Sequence, residues 1–177
     1  MIIKDFHTHV EALLSIVDID PSDPAAPLPL RPGLRYSVGI HPWRVGLATP
    51  DNWARTIILA ADPRVLLIGE TGLDRLHLDG TPIELQTEWF ERHVSLSEQV
   101  GKPLLLHIVR AFPEIIALRC RLRPAQPWIV HGFRGKPQLA ASLLSHGFLL
   151  SFGPLHNPAS LALTPTPLRE SDRTPTT

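Results

Sequence analysis

Two kinds of apolar pattern alternate along this chain. Short apolar runs of roughly four to eight residues recur, and between them lie longer stretches whose apolar positions fall three and four apart. The opening MIIKDF reads as a strand, and so does LLSIVDI, Leu13 to Ile19. RYSVGIH ends a third strand at His41, and RVLLIGE ends a fourth at Glu70. KPLLLH stops at His107, PWIVH stops at His131, and FLLSFG follows. The intervening helices begin with TPDNWARTIILAAD, where Thr49 is a natural N-cap ahead of Pro50. The strongest helical pattern runs from Thr81 to Gly101, with Thr81 as cap, Glu84 completing a capping box and Gly101 as terminator. FPEIIALRCRL and KPQLAASLLSHG supply two more helices. Strand–helix alternation of this kind predicts a parallel sheet with helical crossovers, an α/β fold closing into a TIM-like (β/α) barrel.

The polar residues give this pattern its chemical meaning. In KDFHTHV, alternate positions of a strand put Asp5, His7 and His9 on one face. Two imidazoles on one face suit a shared metal ion better than a packed core. His41, Glu70, His107 and His131 each close a strand, and in a parallel barrel all such ends meet at one mouth. Glu70 follows an apolar run that should be buried, and a buried carboxylate needs a partner such as a cation. A single histidine at a strand end is more often structural than a ligand, but here the placement recurs. Arg110, just past His107, and Arg134 and Lys136, just past His131, are placed to meet an anionic substrate; surface charge is the plainer reading of all three. The other histidines read as structural: His93 on the surface of the long helix, His146 at a helix end, His77 and His156 in loops. Trp43 reads as a loop aromatic covering a barrel end, with a pocket wall as the alternative.

Composition narrows the options. The chain has 177 residues, 44% of them hydrophobic, with 17 basic and 17 acidic side chains, which suits one domain with no charge-driven grip on nucleic acid. Cys120 is the only cysteine, so no intrachain disulfide forms. Lys4 and Asp5 interrupt any signal-peptide core, and no window approaches the ~20 apolar residues of a membrane span, so a cytoplasmic location with no membrane partner is expected. The 19 prolines cluster at Pro21–Pro32 and Pro154–Pro175, which should be irregular.

The motifs DFHTH, SVGIHPW, IGETGLD, KPLLLHIVRA and VHGFRGKPQLAASLLSHGFLLSFG, in this order, resemble the TatD-type metal-dependent hydrolases, a family within the amidohydrolase-like barrels. The resemblance runs from about Ile2 to Asn157. It implies one or two divalent metal ions (Zn, Mn or Mg) at the barrel mouth. His7 and His9 would hold the first, His107 and His131 the second, and Glu70 would lie at or between them. His41 would contact a substrate phosphate. The implied activity is cleavage of DNA phosphodiesters, often from the 3′ end; another small phosphate-containing substrate, an ester or an amide would fit the same ligands, and a non-catalytic remnant is the further alternative.

The C-terminal part departs from the family pattern. RESD matches the family's last motif, Glu-Thr-Asp, whose aspartate would be Asp172, a metal ligand that orients the water and accepts its proton, so that Asp172 and Glu70 carry the catalytic roles. That motif normally follows an apolar strand, and TPTPLR is not one, because Pro165 and Pro167 exclude a central strand. A barrel usually takes about 250 residues, so this one is expected to be incomplete at its eighth strand, with residues 1–163 as the barrel and 164–177 as a proline-rich irregular tail. Two arrangements remain. Asp172 reaches the metals through an irregular segment, or the barrel stops at seven strands and Asp172 lies in the tail; the prolines favour the second. A missing strand would leave sheet edges open to homo-oligomerisation.

Overall fold

The computed structural model describes residues 3–174. Eight parallel strands follow one another around a nearly closed barrel: β1 Asp5–Thr8, β2 Ser15–Ile19, β3 Arg35–Val38, β4 Val65–Asp74, β5 Leu104–Val109, β6 Trp128–Val130, β7 Phe148–Phe152 and β8 Leu168–Arg169. Helices α1 Pro50–Ala60, α2 Ile83–Val100, α3 Phe112–Leu122, α4 Pro137–Ser145 and α5 Pro158–Leu163 lie between successive strands from β3 onward. No helix of the described residues is long and apolar enough to cross a membrane.

The core has two layers. A small interior plug of Ile16, Leu67, Leu105 and Ile129 fills the barrel. A larger layer, including Val17, Tyr36, Leu106, Trp128 and Phe148, packs the outer face of the strands against the helices. Strands β2 and β3 have no helix between them. The proline-rich connection takes that place: Leu30, with Ala26, Leu28 and Leu34, joins Val17, Ile19, Tyr36 and Val38 in the outer core. Proline fixes φ, so this segment loses less chain entropy on ordering than a flexible loop would. It is tied down where Arg31 N donates to Tyr36 Oη (2.9 Å) and Arg64 Nη1 donates to Leu30 O (2.9 Å).

The helix signals hold in part. Thr49 caps α1 in a reciprocal capping box with Asn52. Gly101 ends α2 in the left-handed region at φ 66°. Thr81, however, does not cap α2. Pro82 occupies the cap position with no side-chain hydrogen bond, and Thr81 Oγ1 donates to His77 O (2.8 Å) instead. The reason is Gln86, which ties down this turn by donating from Nε2 to the carbonyls of Asp74, His77 and Thr81. His93 corrects a second expectation. It is fully buried, not on the surface, because it shares the inward stripe of α2 with Gln86, Trp89, Phe90 and Ser97. Its Nδ1–H donates to Trp89 O (2.7 Å) and its Nε2 accepts from Ile40 N (3.0 Å). Burial pushes its pKa down to about 4.

The C-terminal segment follows the first of the two arrangements left open by the sequence. The eighth strand exists, although it is only two residues long, pairing Leu168 with Ser151 and Arg169 with Phe152. Among the described residues no strand ladder joins β8 to β1, so the barrel seam is not sealed by sheet. Other hydrogen bonds cross it. Asp172 N donates to His7 O (3.0 Å) and His9 N donates to Arg173 O (2.8 Å). The Asp5 carboxylate accepts from Ser171 N (2.9 Å) and Ser171 Oγ (2.6 Å). The prolines at 165 and 167 spare this closure because its bonds run between residues 5–9 and residues 171–173, beyond both prolines.

Asp5→Ala removes the carboxylate that bridges the seam. It is expected to destabilise the protein by about 2–3 kcal/mol and to speed hydrogen exchange at the Ser171 and Asp172 amides, whereas Ser171→Ala should cost about 1 kcal/mol. Unchanged exchange at these amides in Asp5→Ala would show that the seam does not depend on this residue. His93 gives a pH dependence. Its folded pKa lies below its unfolded value, so the unfolded chain binds more protons and stability falls as pH drops from about 6.5 towards 4. The loss attributable to His93 should be ~2 kcal/mol between pH 7 and pH 5. Urea unfolding at both values should show a smaller loss in His93→Gln, which keeps an acceptor for Ile40 N; equal losses in both proteins would refute the assignment.

Candidate metal centre

The mouth of the barrel is organised around one carboxylate. Glu70 sits within β4 and is buried. Its Oε1 lies 2.8 Å from His107 Nδ1 on β5, 2.8 Å from His131 Nε2 just beyond β6, and 3.4 Å from His41 Nε2 beyond β3. Its Oε2 lies 3.2 Å from His7 Nε2 on β1. The strands approach closely enough for this because of a glycine. Gly72 has φ +146°, and a Cβ there would stand 2.0 Å from the carbonyl oxygen of His107. Any side chain would push β4 and β5 apart beside the carboxylate and the imidazole.

The other expected residues fall into place around this hub, with one exception. His9 packs edge-on against His7, with ring centroids 4.8 Å apart. Asp172 Oδ1 lies 3.5 Å from His7 Nε2 and 3.7 Å from His9 Nε2. Among the described residues, four groups of three have ligand atoms mutually within 4.8 Å: His7–His9–Asp172, His7–Glu70–His131, His41–Glu70–His107 and His131–Glu170–Asp172. Arg110 is the exception. It is exposed at the end of β5 and does not line the central cavity.

The donor set fits a divalent cation. His7 is completely buried, yet among the described residues neither of its ring nitrogens finds a well-aligned hydrogen-bond partner, despite the nearness of Glu70 Oε2. A buried imidazole without partners is costly, and a cation shared with the carboxylates would satisfy it. Imidazole mixed with carboxylate suits Zn, Mn and similar ions, whereas Mg prefers more oxygen. Burial alone would raise the pKa of Glu70, but the charges of His131 and His7 and the hydrogen bonds from His107 and His131 outweigh it and hold the carboxyl well below its usual range. Conversely, burial would lower His131 and His7; the Glu70 carboxylate reverses this, raising His7 and lifting His131 well above the ordinary histidine value.

Four acids that the strand-end pattern did not single out support the histidines. Asp18 Oδ1 accepts from Glu70 N (3.0 Å) and Ser37 Oγ (2.8 Å), and its Oδ2 lies 3.9 Å from His9 Nδ1. Asp20 Oδ2 accepts from His41 N (2.9 Å). Asp74 Oδ2 lies 3.2 Å from His107 Nε2, so that ring stands between two carboxylates. Glu170 Oε1 accepts from Gly132 N (2.7 Å) and lies 3.3 Å from His131 Nδ1. A carboxylate behind a ligating imidazole fixes its tautomer and orientation. The signal for the first pair was present in SIVDID, where Asp18 and Asp20 share one face by the same alternation that pairs His7 with His9. Asp74 and Glu170 carry no comparable periodic signal.

Asp18 and Asp20, with Glu70, His41, His107 and His131, border a cavity of about 540 Å³ that also includes Asp23, Trp43 and Arg44. Trp43 is a wall of this cavity, not only a cover over a barrel end. Its Nε1–H donates to Asp74 Oδ2 (2.7 Å).

Known proteins share this framework. The family model described as TatD related DNase matches residues 29–164. The chain is 31% identical over 118 residues to an uncharacterized metal-dependent hydrolase, YabD, of Bacillus subtilis, covering 66% of this chain and 46% of that protein. It is 30% identical over 125 residues to the 3'-5' ssDNA/RNA exonuclease TatD of Cronobacter turicensis, covering 67% of this chain and 45% of that protein. The chain thus spans about half the length of the curated relatives it matches. Among solved structures, a TatD family hydrolase from Entamoeba histolytica superposes with a TM-score of 0.69 at 21% identity, over 78% of this chain and 50% of that one. An uncharacterized amidohydrolase from Saccharomyces cerevisiae does so with a TM-score of 0.67 at 18% identity, over 89% of this chain and 63% of that one. Fold, ordered motifs and the matched family model agree: this chain belongs to the TatD-related DNase family.

Proposed function

We propose that this protein is a metal-dependent hydrolase that cleaves phosphodiester bonds of DNA, using water activated at one or two divalent ions. The observation that carries the reading is the convergence of His7, His41, His107 and His131 on the two oxygens of Glu70. The exonuclease name of the Cronobacter relative points the same way for the substrate. A divalent ion would supply a water of lowered pKa and stabilise charge on a phosphoryl oxygen.

The chain's own residues divide the remaining work. His7, His9 and Asp172 form one ligand group, His107 and His131 another, and Glu70 lies between them. Asp172 is about one third exposed, the more open of the two acids in contact with His7. It therefore suits the acceptor of the water's proton. His41 is held by Asp20 at its backbone amide and presents Nε2 to the cavity, where it meets a phosphate oxygen. Arg110 has no part in this assignment because it lies outside the cavity lining. The lone thiol, Cys120, fits a reducing cytoplasmic setting.

Two outcomes test this reading. Protein purified after growth with Zn or Mn should retain divalent metal, and His7→Ala and His131→Ala should each lose most of it. Asp172→Asn should keep the Glu70-centred ion while turnover of a single-stranded oligonucleotide falls by roughly 10²–10⁴-fold. Absence of bound metal from the metal-replete wild type would overturn the proposal; metal binding with turnover only of an amide or phosphomonoester would redirect the substrate. The raised pKa values of His7 and His131 add a sign. Protons compete with the ion at both imidazoles, so metal affinity should climb between pH 6 and pH 8, with protons released on binding. Calorimetry in two buffers of different ionisation enthalpy measures that release.

A further inference from the structure

The geometry points to Trp43 as a stacking platform for a nucleobase of the substrate, beside the phosphate site. This inference rests on the nucleic-acid reading above and extends it to how the base is recognised. Trp43 is 47% exposed, the one tryptophan of four whose side chain is largely open, while Trp128 is fully buried and Trp89 nearly so. An exposed indole is ordinarily free to rotate. This one is fixed.

Three contacts immobilise it. The Nε1–H bond to Asp74 Oδ2 anchors one end of the ring to a buried carboxylate that also lies against His107. His77 stacks on the indole, with centroids 4.9 Å apart and planes within 24°. His41 packs against it edge to face at 4.8 Å. Trp43 borders the central cavity and His77 does not, so part of the indole outside its stack with His77 faces the cavity, beside the rings of His41 and His107. A flat aromatic surface, already ordered and adjoining the imidazole assigned to a phosphate, matches a nucleotide: the base stacks while the phosphate meets His41. Arg44, the next residue, is the only lysine or arginine bordering this cavity among the described residues. Its Nη2 bonds Asp23 (2.8 Å), and the guanidinium is well placed for a neighbouring phosphate. Stacking tolerates every base, since each has a π-face. The recognised class is therefore a single-stranded or terminal nucleotide without strong sequence preference.

Competition calorimetry on the full, Mn-loaded chain would compare dAMP with 2-deoxyribose 5-phosphate, which carries the same phosphate and no base. Wild type should bind dAMP more tightly by roughly ten-fold or more, with quenching of tryptophan fluorescence. In Trp43→Ala that ratio should collapse towards one, and Trp43→Phe, which keeps a ring but loses the bond to Asp74, should restore most of it. A ratio near one in wild type, or an equal ratio in wild type and Trp43→Ala, overturns the platform. Turnover of bis(4-nitrophenyl) phosphate by wild type separates the two failures. If it persists while the ratio is near one, only the platform is lost; if it is absent as well, the phosphodiesterase reading falls too.

Discussion

A single buried carboxylate amid four imidazoles is the constraint around which the rest is arranged. Glu70 would be strongly disfavoured as an anion in an apolar barrel interior. It stays ionised because β1, β3, β5 and β6 each deliver a histidine to within hydrogen-bonding reach or slightly beyond. The requirement runs in both directions. The carboxylate needs the rings, and the fully buried His7 needs something for its nitrogens, which no group among the described residues supplies by an aligned hydrogen bond. Strand register, the glycine at position 72 and the backbone hold of Asp18 on the Glu70 amide all serve this meeting point.

Much of this was legible in the amino-acid sequence, for a physical reason. A parallel barrel places every strand's C-terminal end at one rim, so a polar residue that interrupts an apolar run marks that rim. His7, His41, Glu70, His107 and His131 were readable in this way. Residues whose roles depend on three-dimensional neighbours were not. His93 looks like any polar residue of a helix until the stripe shared with Trp89 and Phe90 is seen to face β3's exit. Asp74 lies within a strand that runs further than its apolar pattern suggests, to residue 74. The two prolines before Leu168 argued against a strand, yet they act only on their own amides, and the closing bonds involve residues 171 to 173.

The barrel wall also shows what can stand in for a helix. Helices are the usual cover for a parallel sheet, because both faces must be shielded from water. Between β2 and β3 a segment of irregular backbone does this with Leu28, Leu30 and Leu34, stiffened by prolines that limit its unfolded freedom. The apolar outer face of β2 stays dry without a helix, and the acids at its mouth end, Asp18 and Asp20, remain correctly presented to His9, His41 and Glu70.

The bond from Ser171 to Asp5 spans 166 positions of the chain. Contacts of such separation form late, because the loop they close carries a large entropic cost. On the ribosome, His7 of β1 and His9 just beyond it emerge long before Asp172, and they wait for all the intervening strands and helices before it can reach them. Assembly of the His7–His9–Asp172 group is thereby postponed until late in folding, and a cation bound there would stabilise the barrel against reopening at its unsealed seam.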